Sequence, residues 1–281
     1  INLDTKLQAL SPLLKAVKSD SKKKSDLKEL SATLLKSYPS KSEVYFFLAD
    51  MHIALKDYKL ARIYTRKALE RESVSYAIWK KIIYLDEHLF DYRQQLKDVN
   101  KALYLFPNIA RLYFIKSKAL IELSEYESAL KTANEGLDFA VDQSDKTDLM
   151  VAKGQSYFKL GQYKKSSQLL NAVLSIDPNH ILGLRAYSHL LIIQGGQLDK
   201  ALNTIEKALI FQPKNPDLIA TKAEIWFLKK NTTKALSFID NAILINPNNK
   251  KYYQQKKVIY ESMGNQMMVE QLDLKIKDLH E

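Results

Sequence analysis

Prolines recur along this chain at a spacing of about 34 residues. Five of the seven lie at Pro39, Pro107, Pro178, Pro213 and Pro247, with separations of 68, 71, 35 and 34 residues. A fixed period of this length is typical of stacked helix-turn-helix units. Proline ends a helix because it lacks an N–H donor and disfavours helical geometry in the residue before it. We therefore expect each of these prolines to close the second helix of a repeating unit.

Small and aromatic residues follow the same period. If proline is position 32 of each unit, alanine recurs at positions 20 and 27 and aromatic residues recur at positions 4 and 17. Small residues let two antiparallel helices approach closely, while bulky residues fill the space between units. The alanines are Ala61, Ala129, Ala201 and Ala235 at position 20 and Ala68, Ala102, Ala208 and Ala242 at position 27, and the aromatics are Tyr45, Trp79, Tyr113 and Tyr253 at position 4 and Tyr58, Tyr92, Tyr126 and Tyr163 at position 17.

This pattern resembles the tetratricopeptide repeat (TPR) family. The best copies are YFFLADMHIALKDYKLARIYTRKAL (Tyr45 to Leu69), GQSYFKLGQYKKSSQLLNAVLSIDP (Gly154 to Pro178) and KALNTIEKALIFQP (Lys200 to Pro213). The resemblance implies an all-α fold, a right-handed solenoid (an α-α superhelix) with about six full repeats and capping helices at both ends.

The predicted organisation is one continuous array of about sixteen helices. Residues 1–41 are expected to form a helical pair, with helices at 3–17 and 26–37 joined by an exposed turn that contains Lys22 to Lys24. Three extra residues fall in Ala140 to Asp148, where we expect a longer turn and a modest hinge. The six repeats occupy approximately 42–75, 76–109, 110–146, 147–180, 181–215 and 216–249, and 250–281 form a partial repeat and a C-terminal capping helix.

The residue types argue against catalysis. The chain has no cysteine, so thiolate chemistry, disulfides and Cys-ligated zinc are excluded. The five histidines include no pair at i, i+4 with a carboxylate between them, and no Gly-rich phosphate loop or GxSxG motif occurs. We expect His52 to be a partly buried core histidine. The sequence therefore predicts no enzyme activity, no cofactor and no metal, and no apolar run is long enough for a membrane helix.

The resemblance implies a concave groove lined by positions 2, 5, 6, 9, 12 and 13 of each first helix. Although the net charge is +11, these positions carry seven basic and eight acidic residues, so most lysines must lie elsewhere. A near-neutral groove does not suit nucleic acid, whose affinity depends on clustered phosphate contacts. Aromatic anchors among mixed charges suit a protein or peptide partner, although the same aromatics could instead pack between repeats. The predicted groove residues are Phe46, Asp50, Lys80, Tyr84, Arg111, Phe114, Lys118, Gln155, Phe158, Arg185, His189, Glu224 and Phe227.

The stretch from Asn179 to Leu236 is similar to TPR lipoproteins of the Bacteroidota periplasm. That resemblance implies an adaptor anchored to the outer membrane through a lipid-modified cysteine upstream of Ile1, within a larger machine for secretion, envelope assembly or cell-wall remodelling. The alternative is a cytosolic co-chaperone or regulatory adaptor that binds a peptide. A third, less favoured alternative is nucleic-acid binding through the lysine-rich outer surface. Family members that hold chaperone C-termini use a clamp of lysine, asparagine and arginine side chains. The nearest approach here lacks both asparagines, and it consists of Arg185, His189, Thr221, Lys251 and Gln255.

Overall fold

The computed structural model describes residues 2–16 and 21–279. Within these ranges it contains sixteen α-helices and no β-strand, so the predicted all-α class is confirmed. The helices are α1 (Leu3–Ala16), α2 (Ser21–Ser37), α3 (Ser42–Ala54), α4 (Tyr58–Leu69), α5 (Tyr76–His88), α6 (Tyr92–Leu105), α7 (Ala110–Glu122), α8 (Tyr126–Leu137), α9 (Gln143–Lys159), α10 (Tyr163–Ile176), α11 (Ile181–Ile193), α12 (Leu198–Phe211), α13 (Pro216–Leu228), α14 (Thr232–Ile245), α15 (Lys250–Ser262) and α16 (Gln266–Asp278).

The helices form two compact units, which divide within α7. Unit 1 is Ile1–Ala119 and unit 2 is Leu120–Glu281. In both units most helices pack against their neighbours in the chain, so each pair of helices is one structural repeat. None of the described helices is long and apolar enough to span a bilayer. From α3 onward, the odd-numbered helices are first helices of their repeats and the even-numbered helices are second helices.

The repeat positions read from the sequence explain the core of each unit. Every alanine predicted at position 20 or 27 is completely buried. At all five periodic prolines, the preceding helix ends two residues earlier, as at Leu105 before Pro107 and at Ile245 before Pro247. The small residues therefore lie where the paired helices approach most closely, and proline fixes the end of the pair.

The aromatic residues at position 4 also close the turn that precedes them. The hydroxyl groups of Tyr45, Tyr113 and Tyr253 each donate a hydrogen bond to the carbonyl of the proline six residues earlier, at 2.8, 2.9 and 2.9 Å. Trp79 makes the same contact with its indole N–H, which donates to the carbonyl of Ser73 at 2.7 Å. Each ring thus ties the start of one repeat to the end of the preceding one.

Two local predictions are wrong. α2 begins at Ser21, so Lys22 to Lys24 lie in its first turn of helix and not in a connecting turn. The three extra residues before the fourth repeat do not lengthen a turn either. They extend α9 to 17 residues, with Asp142 at its N-terminus accepting a hydrogen bond from the Asp145 amide at 2.8 Å. Since Asp142 is a good N-cap, the helix starts early and the predicted hinge is replaced by regular helix.

The turn between α11 and α12 has two residues in the left-handed region, Gly195 and Gly196, and the turn within each other repeat from α3 onward has one. Gly161 and Gly264 occupy it with φ of 71° and 68°. The same place in other repeats is held by non-glycine residues, for example Phe90 at 56° and Lys230 at 60°. A side chain is disfavoured there because its Cβ crowds the following carbonyl, so these repeats carry a small backbone strain that the glycine-containing ones avoid.

Candidate partner-binding surfaces

In unit 1, an ion pair joins two consecutive first helices. The Lys81 ammonium on α5 lies 2.7 Å from an Asp50 carboxylate oxygen on α3, donates to the Phe46 carbonyl at 3.1 Å and stands 3.0 Å from the centre of the Phe46 ring. Only 10% of the Lys81 side chain is exposed. Burial lowers the pKa of Lys81 to about 8, against the opposing effect of Asp50. The Lys81 ammonium is therefore held by contacts within the protein and is not available to pair with a charged group of a partner.

A second ion pair lies one repeat further along unit 1. The Lys118 ammonium on α7 lies 2.8 Å from a Glu87 oxygen on α5. The Phe114 ring lies close to two cations, with Arg111 4.8 Å and Lys118 5.6 Å from its centre. Tyr84 is half-exposed, and its ring contacts the His88 ring in a tilted arrangement with centres 3.9 Å apart. Burial raises the pKa of the Tyr84 hydroxyl, so this side chain is neutral at physiological pH.

In unit 2, the first helices carry a polar network centred on Asp217 of α13. One Asp217 oxygen is 3.3 Å from the Arg185 guanidinium on α11, and the other accepts a hydrogen bond from the Tyr252 hydroxyl on α15 at 2.6 Å. Burial and the neighbouring Asp217 charge raise the pKa of Tyr252 far above its usual range. The network thus links three consecutive repeats through one carboxylate.

His189 and Glu224 form the adjoining part of this network. Nδ1 of His189 lies 3.4 Å from a Glu224 oxygen, and Nε2 lies 3.4 Å from the Thr221 hydroxyl. A third of the His189 side chain still meets solvent, but the surrounding protein and the charges of Arg185 and Lys159 lower its pKa. Burial raises the pKa of Glu224. The imidazole is therefore neutral at physiological pH, and this part of the face offers a weakly charged hydrogen-bonding surface.

The remaining predicted residues of unit 2 lie on α9 and α13. Phe158 packs edge-on against Tyr163 with ring centres 5.6 Å apart, and the Lys159 ammonium stands 6.0 Å from the Phe158 ring. Gln155 and Phe227 are partly buried. Lys251 on α15 pairs with Glu122 at the end of α7. Aromatic and aliphatic surface therefore lies beside polar groups that are already paired.

One predicted residue, Phe114, is placed differently from expectation. Phe114 is only 4% exposed, so it packs within the fold and is not available to a partner. Lys80 is exposed, whereas its neighbour Lys81 holds the structural ion pair with Asp50. The sequence also missed Tyr252, whose hydroxyl completes the Asp217 network. Position 3 of the first helix was not expected to reach this face, and no other pattern in the sequence marks Tyr252.

The groups needed for a carboxylate clamp are engaged elsewhere. Arg185 pairs with Asp217 and Lys251 with Glu122, and the Gln255 amide donates to the Ala220 carbonyl at 2.9 Å. The expectation for His52 is confirmed, because this residue is 9% exposed and stacks on Tyr64. Within the described ranges, no three histidine or carboxylate side chains come together as a metal site, and His280 lies outside these ranges.

Two curated proteins are similar to part of this chain. Human protein O-mannosyl-transferase TMTC1 is 29% identical over 151 residues, which cover 54% of this chain and 15% of that protein. Bovine BBSome complex member BBS4 is 22% identical over 209 residues, which cover 73% of this chain and 39% of that protein. The chain therefore spans well under half the length of each of these relatives.

Two solved structures share the fold over most of the chain. The APC/C hetero-tetramer Cut9-Hcn1 gives a TM-score of 0.61 at 15% identity, covering 92% of this chain and 49% of that one. A tetratricopeptide repeat protein from Parabacteroides merdae gives 0.57 at 15% identity, covering 85% and 93%. The tetratricopeptide repeat model matches residues 42–74 and 147–180, which correspond to α3–α4 and to most of α9 with α10. The chain therefore contains tetratricopeptide repeats, as its periodic prolines and alanines predicted.

Proposed function

We propose that this chain is a non-catalytic scaffold that binds a protein or peptide partner on the first-helix faces of its repeats. Proteins built from these repeats are generally protein-interaction scaffolds. The observation that carries the proposal is aromatic surface on the first helices, where Tyr84 is 41% exposed and Phe46, Phe158 and Phe227 are partly buried. Large aromatic side chains contribute much of the binding free energy at interfaces because they bury a large area at a low cost in conformational entropy.

The ion pairs between first helices support recognition of the partner mainly through uncharged groups. Lys81, Lys118 and Arg185 each have a carboxylate partner on an adjacent first helix. A partner that bound mainly through charge would have to break these pairs. We therefore expect the aromatic surface to supply most of the affinity, and binding to depend only weakly on salt.

The proposal extends to membership of a larger assembly. BBS4 is named as a member of the BBSome complex, and Cut9-Hcn1 is a hetero-tetramer of APC/C. For this chain we propose a cell-envelope assembly, on the strength of the resemblance between Asn179 to Leu236 and periplasmic lipoproteins. Fractionation of cells that express the protein from its own gene tests this placement, and recovery in the cytosolic fraction alone would refute it.

Photo-crosslinking in native cells tests the binding surface. The photoreactive residue p-benzoylphenylalanine replaces Tyr84 on α5 or, as a matched control, the exposed Tyr104 on the second helix α6. We expect Tyr84→p-benzoylphenylalanine to capture a discrete protein, identified by mass spectrometry, that the Tyr104 variant does not capture. Equal capture at both positions, or no capture at Tyr84, would refute the assignment of the surface.

A further inference from the structure

Unit 1 contains a buried group of charges away from the proposed binding surface. Asp86 on α5 and Asp98 on α6 have completely buried side chains. The guanidinium of Arg66 on α4 binds both oxygens of Asp98, with one contact of 2.8 Å. Arg62 on α4 lies 2.9 Å from Asp91 and 3.4 Å from Asp86. Two cations therefore face three carboxylates, which leaves one surplus negative charge if all three are ionised.

The hydrogen bonds show which of the two buried carboxylates is destabilised by the surplus negative charge. The Asp98 carboxylate is stabilised by three hydrogen bonds, because it accepts two from Arg66 and one from the Gln94 amide at 3.1 Å. The Asp86 carboxylate is less well stabilised, since its Oδ2 is buried without a hydrogen-bond partner and lies 3.7 Å from the Arg66 guanidinium. An ionised carboxylate in this condition is costly. Asp86 lies within hydrogen-bonding reach of Asp98, so one proton shared by the two carboxyl groups would join them by a hydrogen bond and remove the surplus charge.

We propose that Asp86 and Asp98 together hold one proton in folded unit 1, so that α4, α5 and α6 lose stability when rising pH removes it. The charged groups that face Asp86 are Arg62 and Arg66 from α4 and Asp98 from α6, while Asp91 competes for Arg62. No metal or ligand is needed for this behaviour, because the proton itself balances the charge.

The direction of the pH dependence follows from the environment of each carboxyl group. Burial, together with the hydrogen bond and charge of Asp98, raises the pKa of Asp86 to about 8. An aspartate in the unfolded chain titrates near 3.9. Between these values the folded unit keeps a proton that the unfolded chain has released. The contribution of Asp86 to stability is therefore greatest in acid and falls as the pH rises towards 8, with this group increasing the unfolding constant up to tenfold per pH unit.

Neighbouring groups limit the range in which the effect is cleanest. Burial opposes ionisation of Asp98, but Arg66 and its hydrogen bonds lower the pKa of this group. Its titration therefore changes the stability only below about pH 4. Burial lowers the pKa of His52, which makes stability rise with pH below about 6.5. The pKa of Lys81 is lowered to about 8, so this residue makes stability rise with pH above that value. The interval from about pH 6.5 to 8 therefore isolates Asp86.

Urea unfolding of the full chain tests the proposal with a local reporter. Trp79 lies on α5 about two turns of helix before Asp86 and is 7% exposed, and Trp226→Phe removes the only other tryptophan. In this background we expect the unfolding midpoint reported by Trp79 to fall from pH 6.5 to 8. Asp86→Asn, which imitates the protonated carboxyl, should abolish the fall. The matched control Asp91→Asn, at a carboxylate that is 41% exposed, should retain it.

An unchanged slope in Asp86→Asn would overturn the proposal. Infrared spectroscopy gives an independent measurement if that variant does not fold. Protein labelled with aspartate carrying ¹³C at its side-chain carboxyl should show, at pH 6.5, the carbonyl band of a protonated aspartic acid that disappears above about pH 9. The label excludes protonated glutamates such as Glu224. Absence of the band at pH 6.5 would also overturn the proposal.

Discussion

Replacing Phe114 with alanine tests whether this predicted groove residue is a structural one. Its ring is 4% exposed, and a phenylalanine side chain buries about 200 Å², which at about 25 cal/mol per Å² corresponds to about 5 kcal/mol. Phenylalanine-to-alanine changes in cores cost about 3–5 kcal/mol. We therefore expect Phe114→Ala to lower the free energy of unfolding of unit 1 by about 3–5 kcal/mol.

Urea titrations that follow Trp79 fluorescence in the Trp226→Phe background would measure this loss. Two aromatic residues of unit 1 provide a graded comparison. Tyr84→Ala should cost about 1–2 kcal/mol because this residue is 41% exposed, and Tyr104→Ala, at 87% exposed, should change stability by less than about 0.5 kcal/mol. A loss at Phe114 below about 1 kcal/mol, or smaller than that at Tyr84, would show that its ring is not a core residue.

Three further substitutions test packing, turn geometry and the buried charges, each by urea denaturation followed by circular dichroism. Arg66→Met should cost about 3–5 kcal/mol because it leaves Asp98 buried without its cation. Gly154→Val should cost about 1–3 kcal/mol, since a Cβ at this position already lies 3.1 Å from the buried Leu170 side chain. Lys230→Gly should instead stabilise by about 1 kcal/mol, because φ is 60° at this position.

The repeat was predictable because its determinants are local and periodic. Proline at position 32 and alanine at positions 20 and 27 act through backbone geometry and side-chain volume, and both can be read from a single sequence. The start of α9 was missed because Asp142 competes with the expected turn. This residue caps a helix that begins at Gln143, and the competition between an N-cap and a longer turn is decided by packing that the sequence does not show.

The buried charges of unit 1 were not predictable for a different reason. In the sequence Asp86 stands next to Glu87 and close to His88, but neighbours on one helix cannot converge on an ion. The partners of Asp86 lie instead at Arg62, Arg66 and Asp98, which are 24, 20 and 12 residues away and on two other helices. Each of these residues alone looks like an ordinary surface charge, and only the packing of α4, α5 and α6 brings them together.

The adjacent residues Lys80 and Lys81 show what determines the character of the binding surface. Consecutive residues on a helix point about 100° apart, so the crossing of α3 and α5 decides which lysine meets Asp50. The structure pairs Lys81 with Asp50 over the Phe46 ring and leaves Lys80 in solvent. Charged side chains of neighbouring repeats neutralise each other in this way. A count of charged residues along the first helices therefore overstates the number of unpaired charges that a partner could bind. Recognition on these faces should therefore depend on the exposed aromatic residues more than on the net charge of +11.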